Sequence, residues 1–488
     1  MSVISVSNLT FCYDGSYDNI FNNVSFTIDS DWRLGLIGRN GRGKTTLLNL
    51  LMGKYAYRGT ISSQVEFKLF PFMVENIELN TLDIIQNTVK GFALWELERE
   101  MSLMELSEDI LYRPFATLSN GERTKALLAA LFMNDERFLL IDEPTNHLDL
   151  HGRKVLGAYL KRKKGFILVS HDRMLLDTCA NHILSLNKAD ITVQKGNFTT
   201  WERDKTLRDE FELAENQRLE KDMNKLNKAS ARAAGWSDAL EKTKIGHGPC
   251  DRGFIGAKSE KMMKRAKSIE TRRRRAAEEK SLLLKNIEYA SSLKLSPLTH
   301  YSPMLIEADG LTISFGSKTV CENITFTVEH GDRIAVTGRN GCGKSSVIKL
   351  LIGEDIPYKG TLRTASGLIV SYVPQDTSFL KGDLKDFAIE VGIDESLFKT
   401  ILRKLDFSRL QFEKDMSQFS QGQKKKTLLA ASLCQKAHVY VWDEPLNYID
   451  VLSRMQIERL ILSCSPTMLL VEHDARFIDN VANRILKM

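Results

Sequence analysis

The 488-residue sequence predicts an α/β protein in which two tandem phosphate-loop domains are joined by a long antiparallel helical hairpin. Three observations lead to this prediction. One set of short motifs occurs twice in the same order. In each copy, short apolar runs end at a motif, as strands do in α/β sheets that carry functional groups at their carboxyl ends. Between the copies lies a segment rich in Glu, Lys, Arg, Ala and Leu, which favours helices.

The composition excludes several classes of protein. A chain with 43% hydrophobic and 27% charged residues is neither collagen-like nor mainly disordered. No stretch approaches 18 consecutive apolar residues, and the N-terminus has no basic region followed by an apolar run, so we expect neither a membrane span nor a secretory signal. The 7 cysteines are scattered without a Cys-x-x-Cys pair, which argues against disulfides and against zinc or iron–sulfur sites. These features predict a cytoplasmic protein.

Four motifs carry the internal repeat. They pair Gly38–Thr45 with Gly338–Ser345, Leu118–Glu122 with Phe419–Gln423, Asp142–Pro144 with Asp443–Pro445, and Ser170–Asp172 with Glu472–Asp474. A shared order and a nearly constant offset indicate a duplicated domain. We place the two copies at residues 1–200 and 302–488, with a linker at 201–301.

Each copy contains three apolar runs of strand-like composition. The predicted strands are Leu34–Ile37, Phe138–Ile141, Phe166–Val169, Ile334–Thr337, Val439–Trp442 and Met468–Val471. Each of these runs ends at one of the motifs. We therefore expect the motifs to meet at one edge of a sheet in each copy.

The first motif, Gly-x-x-x-x-Gly-Lys-Thr/Ser, is a phosphate-binding loop when a strand precedes it and a helix follows it. Its glycines let successive backbone N–H groups surround the β- and γ-phosphates, and the helix N-terminus adds its dipole. The lysines add positive charge, and the Thr45 and Ser345 hydroxyls can ligate Mg²⁺. The candidate phosphate-binding residues are Gly38, Asn40, Gly41, Gly43, Lys44, Thr45 and Thr46, with Gly338, Asn340, Gly341, Gly343, Lys344, Ser345 and Ser346.

A second apolar strand in each copy ends in a pair of carboxylates, Asp142-Glu143 and Asp443-Glu444. The first carboxylate of a pair can hold Mg²⁺, while the second can polarise a water for attack on the γ-phosphate. A structural ion pair is the alternative for such a pair on its own. Because both copies keep the glutamate beside a phosphate loop, we expect both sites to hydrolyse nucleotide.

Together the motifs resemble those of the ATP-binding cassette ATPases, and the resemblance covers both repeats. It implies two ATP molecules sandwiched between the cassettes, each held by one phosphate loop and by the signature Ser and Gly of the other cassette. Ser119 and Gly121 would then face the ATP on Lys344, and Ser420 and Gly422 the ATP on Lys44. His171 and His473 resemble the switch histidine that contacts the γ-phosphate.

Two further features of the family are matched unevenly. Tyr372-Val-Pro-Gln375 resembles its glutamine loop, whereas Leu69-Phe-Pro-Phe72 has no glutamine, so we expect the first site to position Mg²⁺ or water differently. Tyr13 and Phe315 occupy the place of the aromatic residue that stacks on adenine. Simple packing on a strand face is the alternative for both.

The linker carries the excess positive charge of the chain. Residues 221–280 include 17 basic and 8 acidic residues, which suggests a polyanionic partner, with a solvated helical face as the alternative. Apolar residues at helical spacing predict two long helices around a Gly- and Pro-rich tip at about residues 242–257. Such a hairpin would reach roughly 50 to 60 Å.

Tandem cassettes joined by a basic helical linker resemble the ABC-F class of ribosome-binding translation factors. Gly235–Asp238, Asp251–Gly256 and Lys261–Lys267 resemble linker motifs of its antibiotic-resistance members, of the Lsa and Vga types. The resemblance implies a monomer with cassettes paired within the chain, which enters the ribosomal exit site. Its tip would displace the peptidyl-site tRNA and dislodge lincosamide, pleuromutilin or streptogramin A drugs, and ATP hydrolysis would release the protein.

The expected contacts with large-subunit rRNA and tRNA are apolar or basic residues of the linker. They are Arg252, Phe254, Ile255, Lys264, Arg265, Arg272, Arg273, Arg274 and Arg275. Two alternatives for the whole protein stay open. A housekeeping ABC-F translation factor would have the same architecture, whereas a fused ATPase subunit of a membrane importer would explain the cassettes but not the basic linker.

Overall fold

The computed structural model describes most of the chain. The described residues are 2–15, 19–89, 91–133, 137–146, 148–187, 190–242, 260–261, 264, 267–272, 274–275, 293–316, 318–339 and 341–488. The chain divides into two compact units. The first comprises residues 1–186, 191–198 and 290–488, and so contains both sequence repeats; the second comprises residues 187–190 and 199–289.

The first cassette is built on a six-stranded sheet that is parallel except at one edge. In spatial order the strands are Glu66–Phe70, Arg137–Asp142, Phe166–Val169, Arg33–Gly38, His182–Leu186 and Ile191–Lys195. A smaller antiparallel sheet consists of Phe21–Asp29, Val3–Phe11 and Arg58–Ser62. All four residues of Phe166–Val169 are buried, as expected for a parallel strand covered on both faces.

Helices connect these strands, and three of them begin within a motif or directly after one. They are Lys44–Leu51, Thr81–Thr88, Leu94–Leu103, Asn120–Leu131, Leu150–Arg162 and Arg173–Cys179, with 3₁₀ turns at Glu108–Tyr112 and Phe115–Thr117. Several helices begin at a polar cap. Asp149 accepts a hydrogen bond from the Gly152 N–H, and Asp172 accepts one from the Leu175 N–H, so both helix starts are fixed by side chains.

The second cassette repeats this plan with a five-stranded parallel sheet. Its strands in spatial order are Val370–Val373, Val439–Asp443, Met468–Val471, Arg333–Thr337 and Arg484–Lys487. Its antiparallel sheet consists of Lys318–Glu329, Met304–Phe315 and Tyr358–Thr364. Its helices are Lys344–Leu351, Leu384–Glu390, Glu395–Lys404, Gln421–Cys434, Val451–Cys464 and Ala475–Val481, with 3₁₀ turns at Arg409–Glu413 and Met416–Gln418.

The six strands predicted from apolar runs are confirmed to within one residue at each end. Their register explains why the motifs meet. In the first sheet, Asp142 and Leu36 both lie beside Val169 on the intervening strand. The phosphate loop, the Asp-Glu pair and the switch histidine therefore follow three neighbouring strand ends on one sheet edge.

The second unit contains all but the first residue of a 45-residue helix, Phe198–Lys242. Further helical positions are described at 260–261, 264, 267–272 and 274–275. Lys264, Arg272, Arg274 and Arg275 are helical and exposed. The predicted tip beyond Lys242, and with it Arg252, Phe254 and Ile255, lies outside the described residues, as do Arg265 and Arg273.

The chain that leaves the linker packs on the second cassette. Leu293 and Leu295 are buried in its core, and the Leu298 N–H donates to the Ala437 carbonyl at 2.8 Å. Residues 293–301, which we assigned to the linker, therefore contact the second cassette. Within the described residues, no helix has both the length and the apolar character that crossing a membrane requires.

Candidate functional site: two cavities between the cassettes

The first cavity lies between the phosphate loop of the first cassette and the signature helix of the second. It has a volume of about 460 Å³. The first cassette contributes Tyr13, Ile20, Asn40, Gly41, Gly43, Lys44, Thr45, Thr46, Asp142, Glu143, Asn146, Val169 and His171, and the second contributes Ser420, Gln421, Gly422 and Tyr448. The structure thus brings Ser420 and Gly422 into the wall of the cavity that contains Lys44.

The second cavity has the reverse arrangement and a volume of about 960 Å³. The candidate residues in its wall are Ser119 and Gly121 from the first cassette, with Gly341, Gly343, Lys344, Ser345, Ser346, Gln375, Glu444 and His473 from the second. Each cavity is therefore a composite of both cassettes. Neither cassette alone presents a phosphate loop and a signature helix to the same space.

The phosphate loops are shaped by glycine and held by lysine. Gly43 has φ of 89°, and a Cβ atom there would lie 2.6 Å from Ile20 Cγ2, so glycine is required at this turn. Lys44 Nζ donates to the carbonyl of Gly38 at 2.8 Å and to Asn40 Oδ1 at 3.2 Å. Lys344 Nζ donates to the carbonyls of Gly338 and Arg339, both at 3.0 Å. The carbonyl groups of Gly38 and Gly338 thus hold the ammonium groups of the two lysines.

The residues expected to hold Mg²⁺ lie close together in both sites. Thr45 Oγ1 donates to Asp142 Oδ2 at 2.8 Å, and Ser345 donates to Asp443. Burial raises the pKa of both aspartates. Within the described part of the chain, Asp443 Oδ1 is buried without a hydrogen-bond donor. An oxygen-rich site with an unsatisfied buried carboxylate oxygen fits a hard divalent cation.

The described residues contain no group of three or more His, Cys, Asp or Glu that could hold a metal ion. Mg²⁺ at this place would therefore be held by one carboxylate, one hydroxyl, water and nucleotide phosphates, a common arrangement for this ion. The residues present fit the group that the motifs imply. They do not form a metal site that is independent of nucleotide.

Glu143 and Glu444 follow these aspartates in the same unusual backbone conformation, with φ of 48° and 47°. Left-handed conformations of residues other than glycine are costly and often occur at functional sites. Glu143 Oε1 lies 3.3 Å from His171 Nε2, and Glu444 Oε1 lies 3.4 Å from His473 Nε2. Burial lowers the pKa of His171 well below its usual value, and the nearby Lys44 and Arg454 lower it further.

The two glutamates have different neighbours. Glu444 Oε2 accepts hydrogen bonds from Gln375 Nε2 at 2.8 Å and Asn447 Nδ2 at 2.6 Å. Burial acts to raise the pKa of Glu444, but the interactions with His473 and Gln375 outweigh it, so the pKa lies below its usual value. Burial raises the pKa of Glu143 to about 7. Phe72 is not part of the wall of the first cavity.

The candidate adenine-stacking residues differ in placement. Tyr13 lines the first cavity, and its hydroxyl lies 2.8 Å from Thr46 Oγ1. Phe315 is 48% exposed and is not part of the wall of the second cavity. The structure therefore brings Tyr13, but not Phe315, to a phosphate loop. Asn340 lies outside the described residues.

Sequence reasoning missed Asn146 and Lys425, and it missed a contact that Asn40 makes with the other cassette. Asn146 lines both cavities. Asn40 Nδ2 donates to the Tyr448 carbonyl of the other cassette at 2.7 Å. Lys425 Nζ donates to the Pro374 carbonyl at 2.8 Å, and burial lowers its pKa to about 8. Extending the comparison of the repeats past Asp-Glu-Pro would have paired Asn146 with Asn447. The contact between Asn40 and Tyr448 could not be predicted from either repeat alone, because it joins the two cassettes.

The comparisons with known proteins agree with this geometry. Residues 21–146 and 321–447 match the family model described as ABC transporter. The chain is 28% identical to the ribosome protection protein VmlR of Bacillus subtilis, over 99% of this chain and 86% of that protein. It is 27% identical to the ATP-binding protein Uup of Buchnera aphidicola, over 99% and 80% of the two chains.

Among solved structures, the chain resembles the archaeal ribosome recycling factor aABCE1 with a TM-score of 0.63 and 20% identity, over 96% of this chain and 84% of that one. At this identity the likeness concerns the fold, and it confirms the prediction of tandem cassettes. The two family matches lie one in each repeat and together span more than half of the chain. The chain therefore belongs to the ABC transporter family, as an ATPase with two ATP-binding cassettes.

Proposed function

We propose that this protein is a ribosome-binding factor that uses ATP to enter the ribosomal exit site and protect the ribosome from antibiotics. The observation that carries the proposal is the pair of composite cavities, each lined by the glutamate of its own Asp-Glu pair. The basic linker supports it, as does the similarity along almost the whole chain to a protein named for ribosome protection. The protein would be cytoplasmic and monomeric.

In each cavity the chain's own residues perform distinct tasks. The phosphate loop would bind the β- and γ-phosphates through its N–H groups and lysine, and the opposite signature helix would close over the γ-phosphate. Glu143 and Glu444 would orient water in line with the γ-phosphorus, with His171 and His473 beside them. Mg²⁺, held by Thr45 and Asp142 or by Ser345 and Asp443, would supply positive charge next to the phosphates.

A cycle of closure and release follows from the composite cavities. Because ATP would contact both cassettes at once, it binds the closed state better than the open one and shifts the population toward closure. Hydrolysis removes the γ-phosphate that both sides contact, and the preference for closure is then lost. We expect the closed state to remain on the ribosome and the hydrolysed state to leave it.

The linker would supply the contacts with RNA. Lys264, Arg272, Arg274 and Arg275 are exposed on helical residues, where they can neutralise phosphates of large-subunit rRNA or peptidyl-site tRNA without reading base sequence. The tip at residues 242–257, including Arg252, Phe254 and Ile255, would act near the peptidyl-transferase centre. The drugs displaced there would be of the lincosamide, pleuromutilin and streptogramin A classes.

The test of the cycle is a double variant, Glu143→Gln with Glu444→Gln. It should keep ATP binding while turnover falls by about two decades or more, because the groups that orient water are lost. With ATP it should accumulate on ribosomes in sedimentation assays. The matched control changes two exposed glutamates, Glu75→Gln with Glu322→Gln, and should behave as the wild type.

Two assays distinguish the alternatives. Accumulation of the double variant on membranes instead of ribosomes would indicate an importer subunit. A housekeeping factor would be indicated if the double variant accumulates on ribosomes but expression of the wild-type protein does not change the inhibitory drug concentrations.

Replacing residues 246–256 with a short Gly-Ser turn should abolish protection while ATPase activity and ribosome binding persist. Full protection by that variant would show that the tip is dispensable.

A further inference from the structure

A buried arginine of the first cassette crosses to the second. Arg173 begins the helix Arg173–Cys179, directly after the switch histidine His171 and Asp172. Its side chain is 1% exposed, with Nη2 lying 2.7 Å from Glu458 Oε2 and 3.9 Å from Asp474 Oδ1. Both acidic residues belong to the second cassette.

Asp474 holds the switch loop of the second site. It directly follows His473, and its Oδ1 accepts a hydrogen bond from the Phe477 N–H at 3.0 Å, which caps the helix Ala475–Val481. Its Oδ2 accepts one from Arg454 Nη1 at 3.0 Å. Burial acts to raise the pKa of Asp474, but Arg454 and then Arg173 outweigh it and hold the pKa below its usual value. The carboxylate is thus held by arginines of both cassettes.

The equivalent loop of the first site is held differently. Asp172 caps its helix through the Leu175 N–H at 3.0 Å and accepts from Arg153 Nη1 at 3.3 Å, which matches the role of Arg454. The counterpart of Arg173 is Ala475, however, and the counterpart of Glu458 is Gly157. Arg173 therefore has no counterpart in the second cassette, where the next residue, Arg476, instead crosses to Asp177 of the first cassette at 3.4 Å.

A small cavity marks the place where the equivalent contact would lie. It has a volume of about 40 Å³, and its wall includes Gly157, Asp172, His473 and Ala475. The mirror position is therefore partly empty, because Gly157 and Ala475 have no long side chains there, whereas the position of Arg173 is filled by a buried ion pair. The asymmetry concerns packing as well as charge.

We propose that Arg173 is a positioning residue for the switch histidine of the second site. Through Asp474 it ties the placement of His473, and with it the contact to Glu444, to correct pairing of the cassettes. Hydrolysis at the second site then depends on Arg173 of the first cassette, whereas the first site has Ala475 of the second cassette at the corresponding position and does not depend on that position. This inference rests on the proposed roles of Glu143 and Glu444.

The test uses single-site backgrounds. In Glu143→Gln only the second site should turn over, and in Glu444→Gln only the first. Arg173→Gln should lower kcat about tenfold in the first background and by less than about twofold in the second, with KM for ATP nearly unchanged in both. Arg173→Lys should restore part of the loss, because a single ammonium reaches one of the two carboxylates.

Two controls separate positioning from general damage to the interface. Asp177→Asn removes another pair that joins the same cassettes, Asp177 with Arg476 at 3.4 Å, and should affect the two backgrounds alike. Glu458→Gln leaves Arg173 beside Asp474, and it should lower kcat of the second site selectively but by less than Arg173→Gln does. It provides a second test if Arg173→Gln folds poorly.

The results distinguish wrong roles for Glu143 and Glu444 from a wrong role for Arg173. If Glu143→Gln and Glu444→Gln by themselves leave turnover unchanged, the roles in the proposed function are wrong, and this inference falls with them. If each lowers turnover but Arg173→Gln acts equally in both backgrounds, or in neither, the inference alone is overturned. A rise in KM without a fall in kcat would also overturn it, since that pattern reports lost ATP binding.

Discussion

Glu143 and Glu444 occupy the same position of the repeat, yet only Glu444 is held by two amide groups, those of Gln375 and Asn447. Lys425 Nζ lies behind this site, 3.4 Å from the Asp443 carbonyl, and its counterpart in the first cassette is Thr124. A carboxylate with two donors on one oxygen has a fixed orientation. The other oxygen is then free to accept from water and from His473.

We expect Gln375→Ala to lower the turnover of the second site. In the Glu143→Gln background, kcat should fall about tenfold, because the carboxylate that orients water loses one of its two amide donors. Steady-state ATPase measurements provide the readout. In the Glu444→Gln background the same substitution should leave turnover unchanged, and an equal fall there would contradict a local role.

At this scale the sequence predicts the residues that stand in motifs, because the chemistry of phosphate binding restricts them to few types. Lys44, Thr45 and Asp142 lie where the motifs require. The contact of Asn40 with the Tyr448 carbonyl was not predictable, because it depends on how two distant segments meet. Phe315 was chosen by its place in the repeat, and its side chain does not reach the second cavity.

Each signature sequence acts through the helix that it begins. Ser420 Oγ accepts from the Gln423 N–H at 3.3 Å while Gln423 Oε1 accepts from the Ser420 N–H at 2.9 Å, which forms a capping box. Ser119 and Glu122 form the same arrangement in the first cassette. The helix N-terminus is thus fixed at the cavity wall, where its dipole favours phosphate.

Gly422→Ala should disturb the wall of the first cavity, both within the second cassette and where the two cassettes meet. A Cβ atom at this residue would lie 2.6 Å from the Tyr448 carbonyl oxygen of the same cassette and 2.9 Å from Asn40 Nδ2 of the other. We expect at least a tenfold fall in turnover in the Glu444→Gln background, because the composite site cannot close. Lys424→Ala, on the same helix, serves as the control; normal turnover of Gly422→Ala would show that this contact is dispensable.

A histidine beside the linker exit should make the second cassette sensitive to acid. His438 Nδ1 accepts from the Ile369 N–H at 2.9 Å, and burial, with His300 and His330 nearby, lowers the pKa of His438 from 6.5. The unfolded chain then binds more protons than the folded one as the pH falls below about 6.5, so stability is present above that pH and is lost below it.

His438→Asn keeps an acceptor for the Ile369 N–H but cannot titrate. Urea unfolding at pH 7.5 and at pH 5.5 should show a smaller loss of stability for this variant than for the wild type. His151→Asn, which changes an exposed histidine of the first cassette, is the control. An unchanged difference between the two pH values would rule out a contribution from His438.

For the elements, the strands were predictable because buried parallel strands are short, uninterrupted apolar runs bounded by motifs. The start of the signature helices was also predictable from the motif itself. The boundary between the linker and the second cassette was harder to predict. Leu293 and Leu295 follow a segment whose composition favours helices, and their burial in the second cassette depends on tertiary packing that composition does not report.

On the scale of the whole molecule, charge and nucleotide sites lie in different units. The cavities belong to the first unit, and the run of basic residues belongs to the second. We therefore expect that binding to a polyanion and ATP hydrolysis can be changed separately by mutation. The repeat offset made the two cassettes predictable from sequence, whereas their mutual pairing rests on contacts between side chains from both.

Replacing Arg272, Arg273, Arg274 and Arg275 by Ala should weaken ribosome association without altering ATPase activity in the absence of ribosomes. Each lost phosphate contact should reduce the slope of log affinity against log salt by about one unit. Sedimentation over a range of salt concentrations measures this slope. An unchanged affinity and slope would mean that these arginines form a solvated helical face.

The difference between Arg173 and Ala475 also bears on which cassettes can pair with each other. Two first cassettes from separate chains would meet with Gly157 opposite Arg173, and two second cassettes would meet with Ala475 opposite Glu458. In the first case the buried Arg173 loses Glu458 on both sides of the symmetric pair, at roughly 3–5 kcal/mol each. In the second case the partly exposed Glu458 loses Arg173. The ion pair thus discriminates against exchange of cassettes between chains and favours the one pairing that a single polypeptide provides.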